Sequence, residues 1–244
     1  GNLAQAMEHA KQLLDRDLEK AALQVEEILA AVPEHAPALF LQAVILGRQL
    51  QGERALQVLK KVVALDANHP EAWRLLADHS AAIGDKAASE SAYLRHLQSA
   101  TGNPDLQQAA AAMIANELPT AERMLKSHLK SAPTDVAAIR MLAEVAVRVG
   151  RNDDAQALLE YCLELTPGFS GARYNLAVLL HRTNKSDDAL REVDQLLAEE
   201  PDRPGYRNLA AVVCSRIGEY ERSSQLYQAL LEEYPQNAKV WLSY

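Results

Sequence analysis

The sequence predicts an all-α solenoid of stacked helical hairpins, and three observations carry that prediction. Pro133, Pro167, Pro201 and Pro235 recur every 34 residues. Within each interval the apolar residues follow a helical period. Midway through the interval a glycine or asparagine interrupts that pattern. Going backwards from Pro133, the matching position is Thr101, 32 residues earlier, after which Ala67 and Pro33 resume the 34-residue step. The spacing therefore defines units at 2–35, 36–69, 70–103, 104–135, 136–169, 170–203 and 204–237, with 104–135 short by two and 238–244 opening an eighth.

Each unit reads as two amphipathic helices. In the unit 136–169, Ile139, Leu142, Ala143 and Ala146 form one stripe, Gly150 interrupts, and Ala155, Leu158, Leu159 and Cys162 form a second. Gly150 stands where the first helix must stop, because glycine accepts the left-handed backbone that closes a helix C-terminus. Gly84, Asn184 and Gly218 hold the same place in other units. Asn152 and Ser186, followed by Asp153-Asp154 and Asp187-Asp188, are expected to cap the second helix and put negative charge at its positive end. The closing proline cannot continue a helix.

Small residues set the packing distance. Ala77, Ala111, Ala143, Ala177 and Ala211 share one position of the first helix, and Ala21, Ala55, Ala121, Ala155 and Ala189 one position of the second. Each unit buries its stripe only against its neighbours, so a right-handed superhelix is expected, with a long open groove lined by first helices. In the short unit, Asn116-Glu-Leu-Pro119-Thr120 is read as a turn lacking two residues. Either the stack bends there or the turn absorbs the deletion.

Composition narrows the function classes. Hydrophobic residues make up 48% and charged residues 24%, which suits a folded chain. Lys and Arg number 25 against 33 Asp and Glu, a net charge of −8, which argues against wrapping a nucleic-acid backbone. No apolar run approaches the roughly 18 residues of a membrane span, and the first residues lack a signal segment, so no membrane role is expected. Cys162 and Cys214, far apart and on apolar stripes, suggest a reducing compartment and a cytoplasmic protein.

These units resemble the tetratricopeptide repeat, and Pro70-Glu-Ala-Trp73-Arg-Leu-Leu76-Ala77 followed by Gly84-Asp85 carries the likeness most fully. The resemblance implies a scaffold that binds a peptide or protein in its groove, with Trp73, Trp241, Tyr93 and Tyr227 as packing residues. It does not imply an enzyme.

Candidate chemistry thins out quickly. Gly47-Arg-Gln-Leu-Gln-Gly52 has phosphate-loop spacing but continues into Glu53-Arg54, the wrong charge for a phosphate. The seven histidines never form a metal-ligand pair on a helix face, so neither metal nor cofactor is expected in this chain. One constellation remains. Arg148, Arg182 and Arg216 fall 34 residues apart near the ends of three successive first helices, with Arg48 at the same place earlier. Arg140 lies two turns before Arg148, and Tyr174, Asn175 and His181 belong to the unit between. These residues form the candidate partner-binding set for an acidic peptide segment held by charge-assisted hydrogen bonds. The alternative is that cations near helix C-termini are favoured by the helix dipole, by roughly 0.3–1 kcal/mol, without any ligand. The asparagines of chaperone-tail clamps are missing, since Asp78, Ala112, Glu144, Val178 and Val212 stand at the corresponding places. The asparagine ladder of repeat-bearing N-acetylglucosamine transferases is missing too, apart from Asn175.

The chain starts without Met, and Val240-Trp241-Leu242-Ser243-Tyr244 opens a first helix with no second, so a longer parent is expected. The stretch from Pro167 to Arg182, with Pro235 to Tyr244, is similar to the repeat region of bacterial proteins with a C-terminal sulfotransferase domain. That resemblance implies an arm that recruits acceptor for a domain using 3'-phosphoadenosine-5'-phosphosulfate, none of whose site residues occur here. A freestanding adaptor in a bacterial assembly or secretion pathway is the alternative.

Overall fold

The computed structural model describes residues 2–235. Those residues form fourteen helices and no strand: α1 (Leu3–Leu13), α2 (Leu18–Ala31), α3 (Ala36–Arg48), α4 (Gly52–Leu65), α5 (Pro70–Ala82), α6 (Lys86–Ala100), α7 (Pro104–Ile114), α8 (Leu118–Ser131), α9 (Val136–Arg148), α10 (Asn152–Leu165), α11 (Ser170–Arg182), α12 (Ser186–Glu199), α13 (Pro204–Ile217) and α14 (Tyr220–Glu233). Odd and even helices pair into seven hairpins, and each hairpin packs on the next. Trp241 and the residues from 238 to 244 lie outside the described residues.

One turn closes six of the hairpins. Leu50, Gly84, Asn116, Gly150, Asn184 and Gly218 all have positive φ, between 57° and 87°. In each case the following N–H returns to the carbonyl five residues back, as in Arg151 to Ala146 and Lys185 to Leu180, both at 2.8 Å. This is the wide bond of the Schellman motif, which satisfies the carbonyls that a helix end leaves bare. The motif also explains why Asn152 and Ser186 do not cap. The residue after the left-handed one already stands at the cap position, so Arg151 and Lys185 occupy it and Asn152 and Ser186 are the first helical residues. Asp85 sits one place earlier in its turn than those two residues, and its side chain does accept from the Ala88 N–H.

The short unit keeps this turn. Asn116 has φ 59°, and the Glu117 N–H returns to the Ala112 carbonyl at 2.8 Å. The missing residues are instead at the start of the first helix, since α7 has 11 residues where α5, α9 and α11 have 13. Counted back from the left-handed residue, the partner of Ala143 is Ala109, which is buried, while Ala111 is exposed. Alignment from the unit start had pointed to Ala111. Packing follows the turn, because the turn fixes which face of the helix meets its neighbours.

The core is a run of overlapping clusters, from Met7, Ala10 and Val25 at one end to Leu176, Val193 and Val213 at the other. Both cysteines are part of it, fully buried, with burial pushing each thiol up to about 11, so they act as small apolar residues. A further cluster breaks the linear pattern. Ala82 of α5 packs with Ala211 of α13 and with Tyr227, Leu230 and Tyr234. The third and seventh hairpins therefore touch across the superhelix, and the expected open groove is closed between them. α13 meets the α5 backbone at Gly205, where an added Cβ would stand in ordinary contact with the Ala81 methyl and the Asp78 carbonyl, both at 3.5 Å.

Candidate functional site

The closure is built from the ends of the two contacting helices. Arg203, just before α13, donates from Nε and Nη2 to the two carboxylate oxygens of Asp78 at 2.9 and 3.0 Å. Arg74, one turn earlier on α5, reaches the same carboxylate at 3.3 Å, and Arg203 also pairs with Glu200 at 2.9 Å. Burial raises the Asp78 carboxyl against the pull of both guanidinium groups, while the buried carboxylate holds Arg203 firmly charged. Asn208 donates to the Ala81 carbonyl at 2.9 Å, satisfying a helix end. His79 meets the Tyr234 hydroxyl at 2.5 Å, and desolvation lowers its pKa to about 4. Glu233 pairs with Arg207 beside them, its carboxyl raised by burial.

Inside the closed part, the position ten residues before each left-handed residue faces inward. It is occupied by Arg74, Arg140, Tyr174 and Asn208 in the third, fifth, sixth and seventh hairpins. Tyr174 stacks on Tyr206 with ring centroids 5.7 Å apart, and Arg203 lies over Tyr206 at 4.3 Å. Burial raises the Tyr174 hydroxyl, keeping it protonated. Arg140 is 4% exposed and lies between the Tyr93 and Phe169 rings, 4.6 and 5.0 Å from their centroids.

The arginine series belongs to the turn edge. Arg48 donates to the Leu14 carbonyl at 2.6 Å and Arg148 to the Met113 carbonyl at 3.1 Å, each one unit back. Arg216 reaches the Asn184 side chain at 2.9 Å, again one unit back. Arg148 also pairs with Glu144 at 3.0 Å. Arg182 is exposed, Asn175 is half-buried, and the His181 ring contacts the Ser186 hydroxyl at 3.3 Å. Burial, then Arg216 and Lys86, lower the His181 pKa, which places that ring in a cationic neighbourhood. The candidate residues thus divide into two places: Arg140 and Tyr174 inside, and Arg148, His181, Arg182 and Arg216 on the edge. Sequence reasoning missed Asp78, His79, Arg203 and Tyr234 as a group, because they sit at unrelated positions of units 125 or more residues apart. No periodic signal connects them.

Among the described residues no group of three His, Cys, Asp or Glu side chains is placed to hold a metal ion, and no helix is long and apolar enough to cross a membrane. The fold defines a helical-hairpin repeat protein. Tetratricopeptide repeat signatures match residues 40–104 and 146–213, together more than half of the sequence, and the chain belongs to that family. No curated protein matches in sequence. Among solved structures, the chain is similar to the APC/C hetero-tetramer Cut9-Hcn1 at 17% identity, with TM-score 0.53, over 99% of this chain and 47% of that one. It also aligns with Naa15/Naa10 bound to HypK-THB at 18% identity, TM-score 0.47, over 99% of this chain and 38% of that one. YrrB, described as a TPR protein with an unusual peptide-binding site, aligns at 16% identity, TM-score 0.49, over 90% of this chain and 96% of that one. The chain therefore spans less than half the length of the first two of these proteins.

Proposed function

We propose that this chain is a protein-interaction scaffold that takes an extended, acidic peptide or protein segment along its turn edge. The repeat stack carries the reading, since successive first helices present equivalent side chains at a constant interval and so offer a row of contacts to an extended ligand. On the edge that row is cationic: Arg148, Arg182 and Arg216, with the His181 ring, whose lowered pKa disfavours its own charge, beside Arg182. The inner face between α5 and α13 is already filled by the chain's own Arg203, Tyr206 and Asn208. The edge is left for a partner.

The test compares Glu-rich and Lys-rich peptides of equal length by fluorescence anisotropy. Acidic peptides bind, and the Arg182→Glu/Arg216→Glu double variant weakens them by about tenfold or more. Equal binding of both peptide classes would remove the edge from the reading.

Two finer placements of the scaffold remain proposals. As the arm of a sulfotransferase it would serve a domain outside this chain, a placement that rests solely on the resemblance read in the stretches beginning at Pro167 and Pro235. As a freestanding adaptor it needs nothing beyond the repeat stack, which suits this placement equally. A following α/β domain in the parent with a phosphate loop supports the first, and termination soon after one more helix supports the second.

A further inference from the structure

The joint between the third and seventh hairpins is made of different material from the rest of the stack. Neighbouring hairpins meet through apolar side chains, as where Leu125 clusters with Ala138 and Val145, or Leu159 with Ala172 and Leu179. At the joint the partners are charged and polar. Asp78 accepts from Arg203 at 2.9 and 3.0 Å, the Ala81 carbonyl accepts from Asn208 at 2.9 Å, and His79 meets the Tyr234 hydroxyl at 2.5 Å. Ala82, Ala211, Tyr227, Leu230 and Tyr234 add a small apolar patch. That mixture is the composition of contacts between separable proteins or domains, more polar than a core.

The joint also has no chain connection of its own. From α5 to α13 the chain runs through hairpins that each pack on the next, so the joint can part while every stack interface stays intact. Parting would bare two complementary faces. On α5 the Asp78 carboxylate and the Ala81 carbonyl accept, and on α13 the Arg203 guanidinium and the Asn208 amide donate. Each chain carries both faces, so a second copy presents the matching charges at the matching spacing.

We propose that this joint is an exchangeable interface whose other occupant is a second copy of this chain, with α13 and α14 of each copy seated on α5 of the other. The arrangement is reciprocal. Two chains form two identical joints about a two-fold axis, and once the first is made the second closes within the pair. No contact is needed beyond those that the single chain makes with itself. High chain concentration favours the exchanged pair, and dilution favours the self-closed monomer.

The geometry supplies its own test. A Cβ on Gly205 would stand 3.5 Å from the Ala81 Cβ, within the separation of about 3.5–4.5 Å that a disulfide spans. The native cysteines, Cys162 and Cys214, are buried and stay out of the reaction. Ala81→Cys and Gly205→Cys chains are mixed, refolded together from denaturant at about 1 mM each, oxidised, and resolved by non-reducing electrophoresis and peptide mass spectrometry. A mixed dimer linked between the two substituted positions forms, and its yield collapses when the refolding is done at about a hundredfold dilution. A mixture that stays uncross-linked, while the Ala81→Cys/Gly205→Cys double variant closes its own disulfide, overturns the exchange. Equal cross-linking of the Ala81→Cys chain with itself overturns it too, being collision without register.

Charge reversal removes the self-joint as a competitor. Arg203→Asp is added to the Ala81→Cys chain and Asp78→Arg to the Gly205→Cys chain, which sets like charges against each other within each chain but leaves Asp78 of the first facing Arg203 of the second. The mixed cross-link then rises by about fivefold or more, and no rise overturns the proposal. Should any of these variants not fold, light scattering of the unsubstituted chain decides, because a mass that stays monomeric after refolding at about 1 mM overturns the exchange. Arg148, Arg182 and Arg216 are untouched throughout, so failure here leaves the peptide test of the scaffold standing.

Discussion

The first three helices and the stretch from α5 to α14 use the same hairpin, yet they are held in different ways. α1, α2 and α3 bury Met7, Ala10, Val25 and Ile45 only against helices adjacent in the stack. Their edge contact, Arg48 with Asp15 at 3.0 Å, joins two largely exposed side chains and contributes little. From α5 onward the stack has a second layer of restraint, because α13 returns to α5 with a bidentate ion pair, a hydrogen bond from Asn208 to the Ala81 carbonyl and an apolar cluster around Tyr234. A solenoid ordinarily gains stability by nearest-neighbour terms alone. This one adds a contact between hairpins four units apart, so cooperativity should be concentrated in the closed part and the first hairpin should open more readily.

The largest expected effect comes from removing one partner of the closing pair. Asp78 and Arg203 expose only 13% and 15% of their side chains, and stranding such a charge costs about 3–5 kcal/mol. Chemical denaturation of Asp78→Ala should show that loss, together with a separate early transition if the closed part unravels into independent hairpins. A single transition within about 1 kcal/mol of the parent would mean that nearest neighbours already account for the stability.

Acid should open the same contact. His79 titrates near 4 when folded and near 6.5 as a free imidazole, so the unfolded chain binds more protons between those values and stability falls as pH drops through that window. The depression corresponds to about 3 kcal/mol at most, with the full benefit present above pH 6.5. The difference in unfolding free energy between the parent and His79→Gln isolates this group from Asp78 and Glu233, whose raised pKa values act in the opposite direction. A difference that does not vary between pH 7 and pH 4 would remove His79 from the closure.

Gly52 gives a steric version of the experiment. An added Cβ would stand 2.4 Å from the Tyr234 ring, so Gly52→Ala must move that ring away from His79. An overpacking cost of about 1–3 kcal/mol follows. Faster amide exchange should appear in α5 and α14, with α1 and α2 unaffected.

The smallest effect sharpens the comparison from the open side. Leu50 holds φ 57° while 49% exposed, where the equivalent turn residues are glycine or asparagine. Leu50→Gly should stabilise by about 1 kcal/mol by relieving the left-handed strain. The gain should appear as slower exchange in α3 and α4, leaving the pH dependence unchanged.

Hairpin number, turn position and the buried face of most helices were legible in the sequence, because each depends on residues within one 34-residue period. Gly84, Gly150, Asn184 and Gly218 marked the turns by backbone chemistry. Leu50 escaped notice because the turn can impose its conformation on a residue that does not advertise it, and Asn116 was read as part of a shortened turn although it keeps the full one. Locating the two-residue deletion in α7, and hence Ala109 as the tight position, required the turn geometry itself. At the candidate site, the arginine interval was visible, but not that Arg48, Arg148 and Arg216 reach back one unit or that Arg140 faces inward toward α11.

By itself, then, the sequence determined the hairpin, its repetition and the composition of its faces, all of which follow from local backbone preference and the burial of apolar stripes on neighbours. Only the tertiary structure decided that the stack closes. Closure sums small rotations across four interfaces until Gly205 meets Asp78 and Arg203 finds its carboxylate, and no short-range preference records that sum.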